Sequence, residues 1–443
     1  MKLTKEALAA YQKSYNENPA MKAASYAISK HPIDEVIFDQ SAANSVSHLF
    51  NHLVPTMRAT NQKGSGRCWL FAALNVMRER VAKEAGIEQF ELSQNYMAFW
   101  DKLEKSNYVL ESILETLDEA PYSRLLDYIL QTGVQDGGQW DMFVSLVEKY
   151  GVVPQSAMPE TFLSGNTRSV NRVINIKLRR TAAVMRKMHA EGASRADLEK
   201  VQAEVMDEIY SILCAAFGCP PTEFDWEYKN KEGAIVREAG LTPKAFFDKY
   251  VAFPFDEYAS IINSPTADKP YNRAYTVRFL GNVVGGRPVS YLNTDIETMK
   301  AAVIKQINAG ETVWFGSDCG WYGDREGGKW VVDMTDYGPL FGGMAFDTTK
   351  EERLDMRLSA MNHARTITGY HEVDGKPVRY RIQNSWGEDR ADKGYYVCDD
   401  KWFDDYVFQA VVRKEYLPAE LLAAAETEPI VLDPWDPMGT LAD

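Results

Sequence analysis

The sequence has little that would suit a secreted or membrane-bound protein. Among its 443 residues there are only five cysteines, an odd number at scattered positions, so a disulfide framework is not expected. No stretch approaches the roughly 18 consecutive apolar residues of a membrane span. The first residues also lack the basic segment and apolar run of a secretory signal. Together these absences predict a cytoplasmic protein without membrane association.

Positive charge is scarce as well. Lysine and arginine number 49 against 63 aspartates and glutamates, which gives a formal net charge of -14. Such a field repels phosphate backbones, so a nucleic-acid partner is not expected. The most basic stretch, residues 177–187, falls in a helical pattern and is interpreted as a solvated helix face.

Clustered metal ligands are another absence. Cys214 and Cys219 lie close together, but no other cysteine or histidine is near them in sequence. We interpret both as small buried apolar residues rather than zinc ligands. The sequence predicts no metal and no organic cofactor.

What is present is a helical pattern early in the chain and a strand pattern later. Residues 170–216 predict two long helices that break at residues 191–193, where Ser194 and Asp197 supply a new start signal. From about residue 275 the pattern favours strands, and two alternating runs flank the turn sequence Asp374-Gly375. The prolines of the last fifteen residues predict an arm without a helix. The fold class is therefore predicted to be α+β.

Cys68 is the candidate nucleophile. It follows a glycine-rich loop and opens a buried helical pattern, so we expect it at a helix N-terminus. A thiol attacks carbonyl carbon as the thiolate, and the positive end of a helix favours that anion. A neighbouring imidazolium is expected to lower the pKa of this thiol further.

The predicted hairpin identifies the histidine. Counting outward from its turn places His363 opposite residues 385–388, so His363 and Asn384 are expected to meet at the open end. The asparagine oxygen could then hold the far N–H of the imidazole, as the third group of a triad does. A buried cysteine, a strand histidine or a turn asparagine alone is usually structural. The three together indicate nucleophilic catalysis.

These residues resemble the motifs of the papain superfamily. Residues 65–69, Ser-Gly-Arg-Cys-Trp, share the glycine, cysteine and tryptophan of its nucleophile motif, and a serine replaces the first cysteine. The Asn-Ser-Trp-Gly signature stands at residues 384–387. The resemblance implies the following roles: oxyanion binding for Gln62, catalysis for Cys68, His363 and Asn384, support from Trp69 and Trp386, and substrate binding for Gly138.

One branch of the superfamily explains the differences from the papain pattern. His363 lies roughly 300 residues after Cys68, about twice the papain spacing of about 130–150 residues, which implies a large insertion. Asp-Gly-Gly-Gln-Trp-Asp at residues 136–141 and Trp-Asp-Pro-Met-Gly at residues 435–439 are similar to the bleomycin hydrolase / aminopeptidase C family. The resemblance covers the whole chain.

That resemblance implies a homohexamer with active sites facing an internal chamber and each C-terminal arm in its own cleft. A carboxylate at the end of the arm would block one side of the groove and pair with the α-ammonium of a peptide. Ala442 and Asp443 are therefore the substrate-binding candidates. If the terminal carboxylate belongs at Ala442, Asp443 is one residue too many, and it would be trimmed or the arm would sit deeper. Expected substrates are short peptides with free N-termini, with bleomycin-like amides implied by family alone.

The expected architecture is a papain-like fold with a helical lobe, a β-rich lobe, a helical insertion and a C-terminal arm. The predicted division is an N-terminal extension at 1–60, a helical lobe at 61–154, a helical insertion at 155–270, a β-rich lobe at 271–428 and the arm at 429–443. Two alternatives to a cysteine aminopeptidase stay open. One is an endopeptidase of the same fold, and the other is a non-catalytic, self-compartmentalising binding protein.

Overall fold

The computed structural model describes residues 1–442. In that range the α-helices are, in chain order, α1 Lys5–Glu17, α2 Pro19–Ile28, α3 Ile33–Val36, α4 Gln40–Ser45, α5 Cys68–Ala85, α6 Gln94–Glu115, α7 Arg124–Thr132, α8 Trp140–Tyr150, α9 Arg168–Ala190, α10 Arg195–Phe217, α11 Pro243–Phe246, α12 Ile296–Asn308, α13 Tyr337–Leu340, α14 Lys350–Asp355, α15 Asp400–Tyr406 and α16 Ala419–Ala425.

The strands lie mainly in the second half of the chain. They are β1 His52–Leu53, β2 Phe224–Lys229, β3 Ile235–Leu241, β4 Tyr258–Ile262, β5 Arg273–Val277, β6 Tyr291–Asn293, β7 Val313–Ser317, β8 Gly323–Asp324, β9 Lys329–Trp330, β10 His363–Val373, β11 Lys376–Gln383, β12 Tyr395–Asp399, β13 Val407–Arg413 and β14 Ile430–Leu432. All except β2 and β3 form one twelve-stranded sheet, in the order β14-β5-β6-β4-β13-β7-β10-β11-β12-β9-β8, with β1 also paired to β10.

The sheet has a hydrophobic core on each face. Trp314 of β7 and Ala364 of β10 belong to a core that includes α5, α6 and α8. Phe315 of β7 and Ile367 of β10 point the other way and belong to the opposite core, which α12 and α15 cover. This alternation follows from the period of two in a strand. Helix α5 packs directly on β10, so the helical lobe and the sheet meet along these two elements.

The locally encoded elements agree with the sequence predictions. Ser194 caps α10, and Asp197 completes a capping box with it. The predicted hairpin is β10–β11, and its turn residues Asp374 and Gly375 have φ of 51° and 75°. Positive φ at both central residues is what a tight hairpin turn of this hand requires. The predicted α+β fold class is confirmed.

Three expectations need correction. The segment predicted as a helical insertion, 155–270, is helical in α9 and α10, but it then forms the β2–β3 hairpin and contributes β4 to the main sheet. The buried and exposed residues of β2 alternate with the period of a strand. The arm also contains a 3-10 helix, Pro437–Ala442, because proline is tolerated in the first turn of a helix. The other domain boundaries stay predictions.

The third correction concerns Cys214 and Cys219. The structure joins them in a disulfide, and Cys219 is exposed rather than buried. Helix α10 ends at Phe217, and Gly218 at φ 85° turns the chain so that the two cysteine Cα atoms lie 4.4 Å apart. That distance is within the range that a disulfide spans.

Candidate active site

Cys68 is the first residue of α5, as predicted. No side chain caps this helix N-terminus, and Cys68 is only 4% exposed. Its Sγ accepts a hydrogen bond from the backbone N–H of Ala364 at 3.4 Å. The thiol therefore lies between the N-terminus of a buried helix and the second residue of β10.

His363 and Asn384 meet at the open end of the hairpin. His363 begins β10, and its Nε2 lies 2.8 Å from Oδ1 of Asn384. The same oxygen accepts the backbone N–H of Ser385, so Nε2 is the donor to it and Nδ1 is the basic nitrogen of the neutral ring. The Trp386 ring stacks on the imidazole, with centroids 5.0 Å apart. These contacts fix the orientation of the histidine.

Gln62 joins the nucleophile loop to the Asn384 segment. Its side-chain Nε2 donates to the carbonyl oxygen of Ser65 at 2.6 Å, and its Oε1 accepts from the Ser385 hydroxyl at 2.6 Å. The backbone N–H of Gln62 also donates to the carbonyl of Ser385 at 2.8 Å. The amide is thus held in place, with its second N–H left for a ligand.

Two further groups position the nucleophile loop, and sequence reasoning missed both. Arg67 is buried and forms a two-pronged ion pair with Glu160 at 3.0 and 2.8 Å, while its Nε donates to Ser65 Oγ. Asp136 accepts the backbone N–H of Gly66 at 2.8 Å. Glu160 and Asp136 both lie far from the nucleophile loop in sequence. No local sequence pattern therefore predicts that either of them contacts it.

Asp136 also braces the neighbouring loop. Although burial opposes it, the Lys102 ammonium and the donors on Thr167 and Asn171 hold the pKa of this carboxyl well below its usual range. Its backbone oxygen accepts Nε1 of Trp69 at 2.7 Å. Asp136 therefore remains ionised and ties α5 to the loop that carries Gly137 and Gly138.

Burial acts against the charged forms that the sequence analysis expects of the Cys68 and His363 pair. Burial raises the pKa of the Cys68 thiol to about 11, and the Ala364 N–H and the Arg365 guanidinium offset this rise only in part. Burial, with smaller contributions from Arg365 and Arg325, lowers the pKa of His363 to about 3, against the opposing effect of the Asn384 contact. An enclosed site disfavours charge on either group. Burial of the site therefore opposes both the thiolate of Cys68 and the imidazolium of His363.

The two glycines at 137 and 138 have different neighbours. The Cα of Gly138 faces the indole of Trp69, and a side chain there would overlap the ring. Gly137 faces the carbonyl of Leu441 and the backbone of Ala442. Gly137, which the sequence analysis did not select, is thus the glycine against the arm, whereas substrate binding by Gly138 stays a prediction.

The C-terminal arm reaches the segment that precedes His363. Thr440 Oγ1 donates to the carbonyl of Met361, two residues before His363, at 2.8 Å. Leu441 and Ala442 are buried in the same core as Cys68. Asp443 lies outside the described residues, so nothing tests its predicted role.

Side chains further back anchor the arm. Asp436 forms an ion pair with Lys269 at 2.9 Å, and the Tyr291 hydroxyl donates to the Met438 carbonyl at 3.0 Å. The guanidinium of Arg124 lies 3.7 Å from the ring centroid of Trp435. Strand β14 begins the arm by pairing with β5.

Two other properties of residues 1–442 bear on the chemistry. Over that range, no three or more His, Cys, Asp and Glu side chains are grouped so as to hold a metal ion. None of the helices described there is long and apolar enough to span a bilayer. A thiol at a helix N-terminus, hydrogen-bonded by the residue that follows a histidine oriented by an amide oxygen, is the arrangement of a cysteine peptidase site.

Comparison with known proteins agrees with this class. Residues 2–439 match the Peptidase C1-like family. The chain is 45% identical over 442 residues to aminopeptidase C of Listeria monocytogenes, with 99% of both chains covered. It is 38% identical over 449 residues to bleomycin hydrolase of Rattus norvegicus, again with 99% of both chains covered. The crystal structure of PepW from Lactobacillus rhamnosis matches with a TM-score of 0.96 at 46% identity, covering 99% of both chains.

The chain therefore belongs to the Peptidase C1-like family, and its fold is papain-like. The family predicted from the sequence is confirmed. The roles of the individual site residues stay predictions, to which the structure adds the contacts described above.

Proposed function

We propose that this protein is a cysteine aminopeptidase that releases N-terminal residues from short peptides through a thioester acyl-enzyme. The observation that carries the proposal is the arm, whose residues Leu441 and Ala442 lie against Gly137 in the same core as Cys68. The names of the relatives, aminopeptidase C among them, agree with it. Bleomycin-like amides are a second substrate class, proposed from the name of the rat relative.

The proposed acylation starts from a neutral thiol and a neutral imidazole. Nδ1 of His363 takes the thiol proton as Sγ of Cys68 attacks the scissile carbonyl carbon. The side-chain amide of Gln62 and the backbone N–H of Cys68 stabilise the oxyanion. Collapse of the tetrahedral intermediate breaks the C–N bond, and the imidazolium gives its proton to the leaving amine.

Deacylation reverses the proton movement. Neutral His363 takes a proton from water, and the hydroxide attacks the thioester carbonyl. The acid product leaves, and the proton returns to the thiolate of Cys68. Asn384 keeps Nδ1 of His363 directed towards the reacting groups in both steps, because its side-chain oxygen holds Nε2.

The arm supplies the exopeptidase character in this proposal. Residues 440–442 occupy one side of the groove. A substrate whose chain continues on the N-terminal side of the residue to be released would therefore not fit. A carboxylate at the end of the arm would pair with the free α-ammonium of the substrate, and a blocked N-terminus would lose that pairing. An endopeptidase of the same fold would lack both effects.

A matched pair of fluorogenic peptides, one free and one N-acetylated, tests the function. We expect the wild type to cleave only the free peptide, Cys68→Ala to cleave neither, and a chain ending at Asp436 to cleave both. Equal cleavage of the two peptides by the wild type would favour the endopeptidase. Turnover that survives in Cys68→Ala would exclude the assigned nucleophile, and an inert but folded wild type would favour the binding protein.

We also propose a cytoplasmic homohexamer, as the resemblance to the bleomycin hydrolase / aminopeptidase C family implies. A reducing compartment keeps the Cys68 thiol available and favours the dithiol form of Cys214 and Cys219. Closed symmetric assembly is the common form of soluble oligomers. Light scattering on a size-exclusion column should give six times the mass of one chain, and a monomer at micromolar concentration would contradict the proposal.

A further inference from the structure

Arg365 is a buried cation without an acidic partner in the described part of the chain. It is 1% exposed, and its one hydrogen bond runs from Nη2 to Ser317 Oγ at 2.6 Å. Its Nε and Nη1 have no hydrogen-bond partner among residues 1–442. The guanidinium lies 4.2 Å from the ring centroid of Trp330, with Phe315 and Trp402 at 5.1 and 5.3 Å.

Such an arrangement is costly. Arginine stays protonated in proteins, and a buried charge is normally paired with an opposite one. The aromatic faces offset part of this cost through cation–π attraction. They do not neutralise the charge, so its field extends to the neighbouring groups.

The nearest functional groups are those of the proposed catalytic pair. Arg365 follows His363 by two residues on β10, so both side chains leave the same face of the strand. The residue between them, Ala364, donates its N–H to Cys68 Sγ at 3.4 Å. Ser317, which holds the guanidinium, is the register partner of His363 on β7. The cation is thus held on the strand that carries His363, within electrostatic reach of both side chains.

The other titratable groups around the pair do not cancel this charge. Burial raises the pKa values of Cys319, Cys398 and Tyr396 around Arg365, so all three are neutral at ordinary pH. The Asp318 carboxylate also raises the pKa of Cys319. It accepts hydrogen bonds from Ser359, Asn362 and the backbone N–H of Gly320. Facing His363 from the other side, the Arg325 guanidinium over Trp386 adds a second positive charge.

We propose that Arg365 is a positioning residue whose fixed charge favours loss of a proton from both Cys68 and His363 and so moves both pH limits of activity to lower pH. This inference rests on the proposed function. A nearby cation favours the thiolate and disfavours the imidazolium, so the two groups respond in the same direction. The Arg365 charge indeed lowers the pKa of His363 and that of Cys68, in the latter against the effect of burial. Neutral imidazole is the form that accepts protons in both steps.

The test compares Arg365→Met, which removes the charge, with Arg365→Lys, which keeps it. Within ~10 Å and at an effective dielectric constant near 20, a unit charge shifts a pKa by about one unit. We expect both limits of the kcat/KM profile to rise by about one pH unit in Arg365→Met and to stay near the wild type in Arg365→Lys. Reduced activity with unmoved limits in Arg365→Met would show a packing role only and overturn the proposal.

Alkylation of Cys68 separates this inference from the proposed function. The rate of its reaction with iodoacetamide, followed by mass spectrometry of the Cys68 peptide, depends on the thiolate and not on peptidase activity. A higher midpoint in Arg365→Met should appear even in a protein that cleaves no peptide. An unchanged alkylation midpoint would overturn the role of Arg365 while leaving the peptidase assignment intact.

Ser317→Asp provides a second variant in case Arg365→Met does not fold. It places a carboxylate where the Ser317 hydroxyl meets the guanidinium, so the field is neutralised while Arg365 remains. The midpoints should rise as in Arg365→Met, whereas the matched Ser317→Asn should leave them in place. A folded Ser317→Asp with wild-type midpoints would contradict the proposal.

Discussion

At the scale of single residues, Ser65 and Arg67 replace a covalent constraint with a network of hydrogen bonds. The secreted papain-like enzymes that this segment resembles have a disulfide-forming cysteine at the position of Ser65. Here the Ser65 hydroxyl donates to the carbonyl of Gln62 at 2.6 Å and accepts Nε of Arg67 at 2.9 Å. Arg67 then pairs with Glu160. The loop before Cys68 is therefore held without a disulfide.

Arg67→Met tests this network. The change leaves Glu160 without its cation and Ser65 without a donor, so we expect unfolding free energy to fall by ~3 kcal/mol, as for other broken buried ion pairs. The melting temperature measured by calorimetry should drop accordingly, and kcat should fall because the loop positions Cys68.

Arg58→Met is the matched control, since Arg58 is 66% exposed and lies 3.9 Å from Glu388. A surface pair of this kind contributes roughly 0–1 kcal/mol. Equal melting temperatures for the two variants would show that the Arg67 network does not stabilise the loop.

Residues such as Arg67, Asp136 and Arg365 mark the limit of prediction at this scale. The position of Cys68 at a helix N-terminus and the contact of His363 with Asn384 were predictable, because each residue stands in a short motif with a chemical reason for its residue type. Glu160 lies far along the chain from Arg67. The aromatic rings around Arg365 come from three separate elements, β7, β9 and α15. Only the three-dimensional fold brings such groups together.

At the scale of elements, the sequence predicts structure well where the determinants are local. The start of α10 follows from the Ser194 and Asp197 box, and the β10–β11 turn from Asp374-Gly375. Counting outward from that turn brought His363 near Asn384 despite two register shifts along the hairpin. Each register shift displaces the pairing by about one residue, so a count from the turn locates the partner of His363 only to within a few residues.

Elements whose partners are distant were less predictable. β4 is buried at four of its five residues, so it lacks the alternation that identifies a strand. It pairs in parallel with β6 and antiparallel with β13, both far along the chain. No local pattern specifies such pairings, and the segment was therefore assigned to a helical insertion.

At the scale of the whole molecule, the arm runs from the edge of the sheet to the candidate active site. It leaves the sheet at β14, is anchored at Asp436 and ends beside Gly137 and Met361. Leu441 and Cys68 belong to one core, and burial there disfavours charge on the thiol and on the imidazole. In the proposed function, its docking would affect both specificity and protonation.

Asp436→Asn tests the docking of the arm without shortening the chain. The Asp436 and Lys269 side chains are 9% and 4% exposed, and removal of one charge leaves the buried ammonium with the exposed Asp268 alone. A broken buried pair of this kind costs about 3–5 kcal/mol, enough to populate an undocked arm. We expect the ratio of kcat/KM for acetylated over free peptide to rise at least about tenfold.

Asp268→Asn is the control for this experiment, because it removes a carboxylate paired with the same lysine and leaves the Asp436 ion pair in place. Asp268 is 62% exposed, so its loss should change neither the peptide ratio nor the melting temperature appreciably. If Asp436→Asn kept the wild-type ratio while its melting temperature fell, the ion pair would stabilise the fold without controlling access. If both variants raised the ratio equally, the general charge around Lys269, and not the anchoring of the arm, would govern the choice between free and blocked peptides.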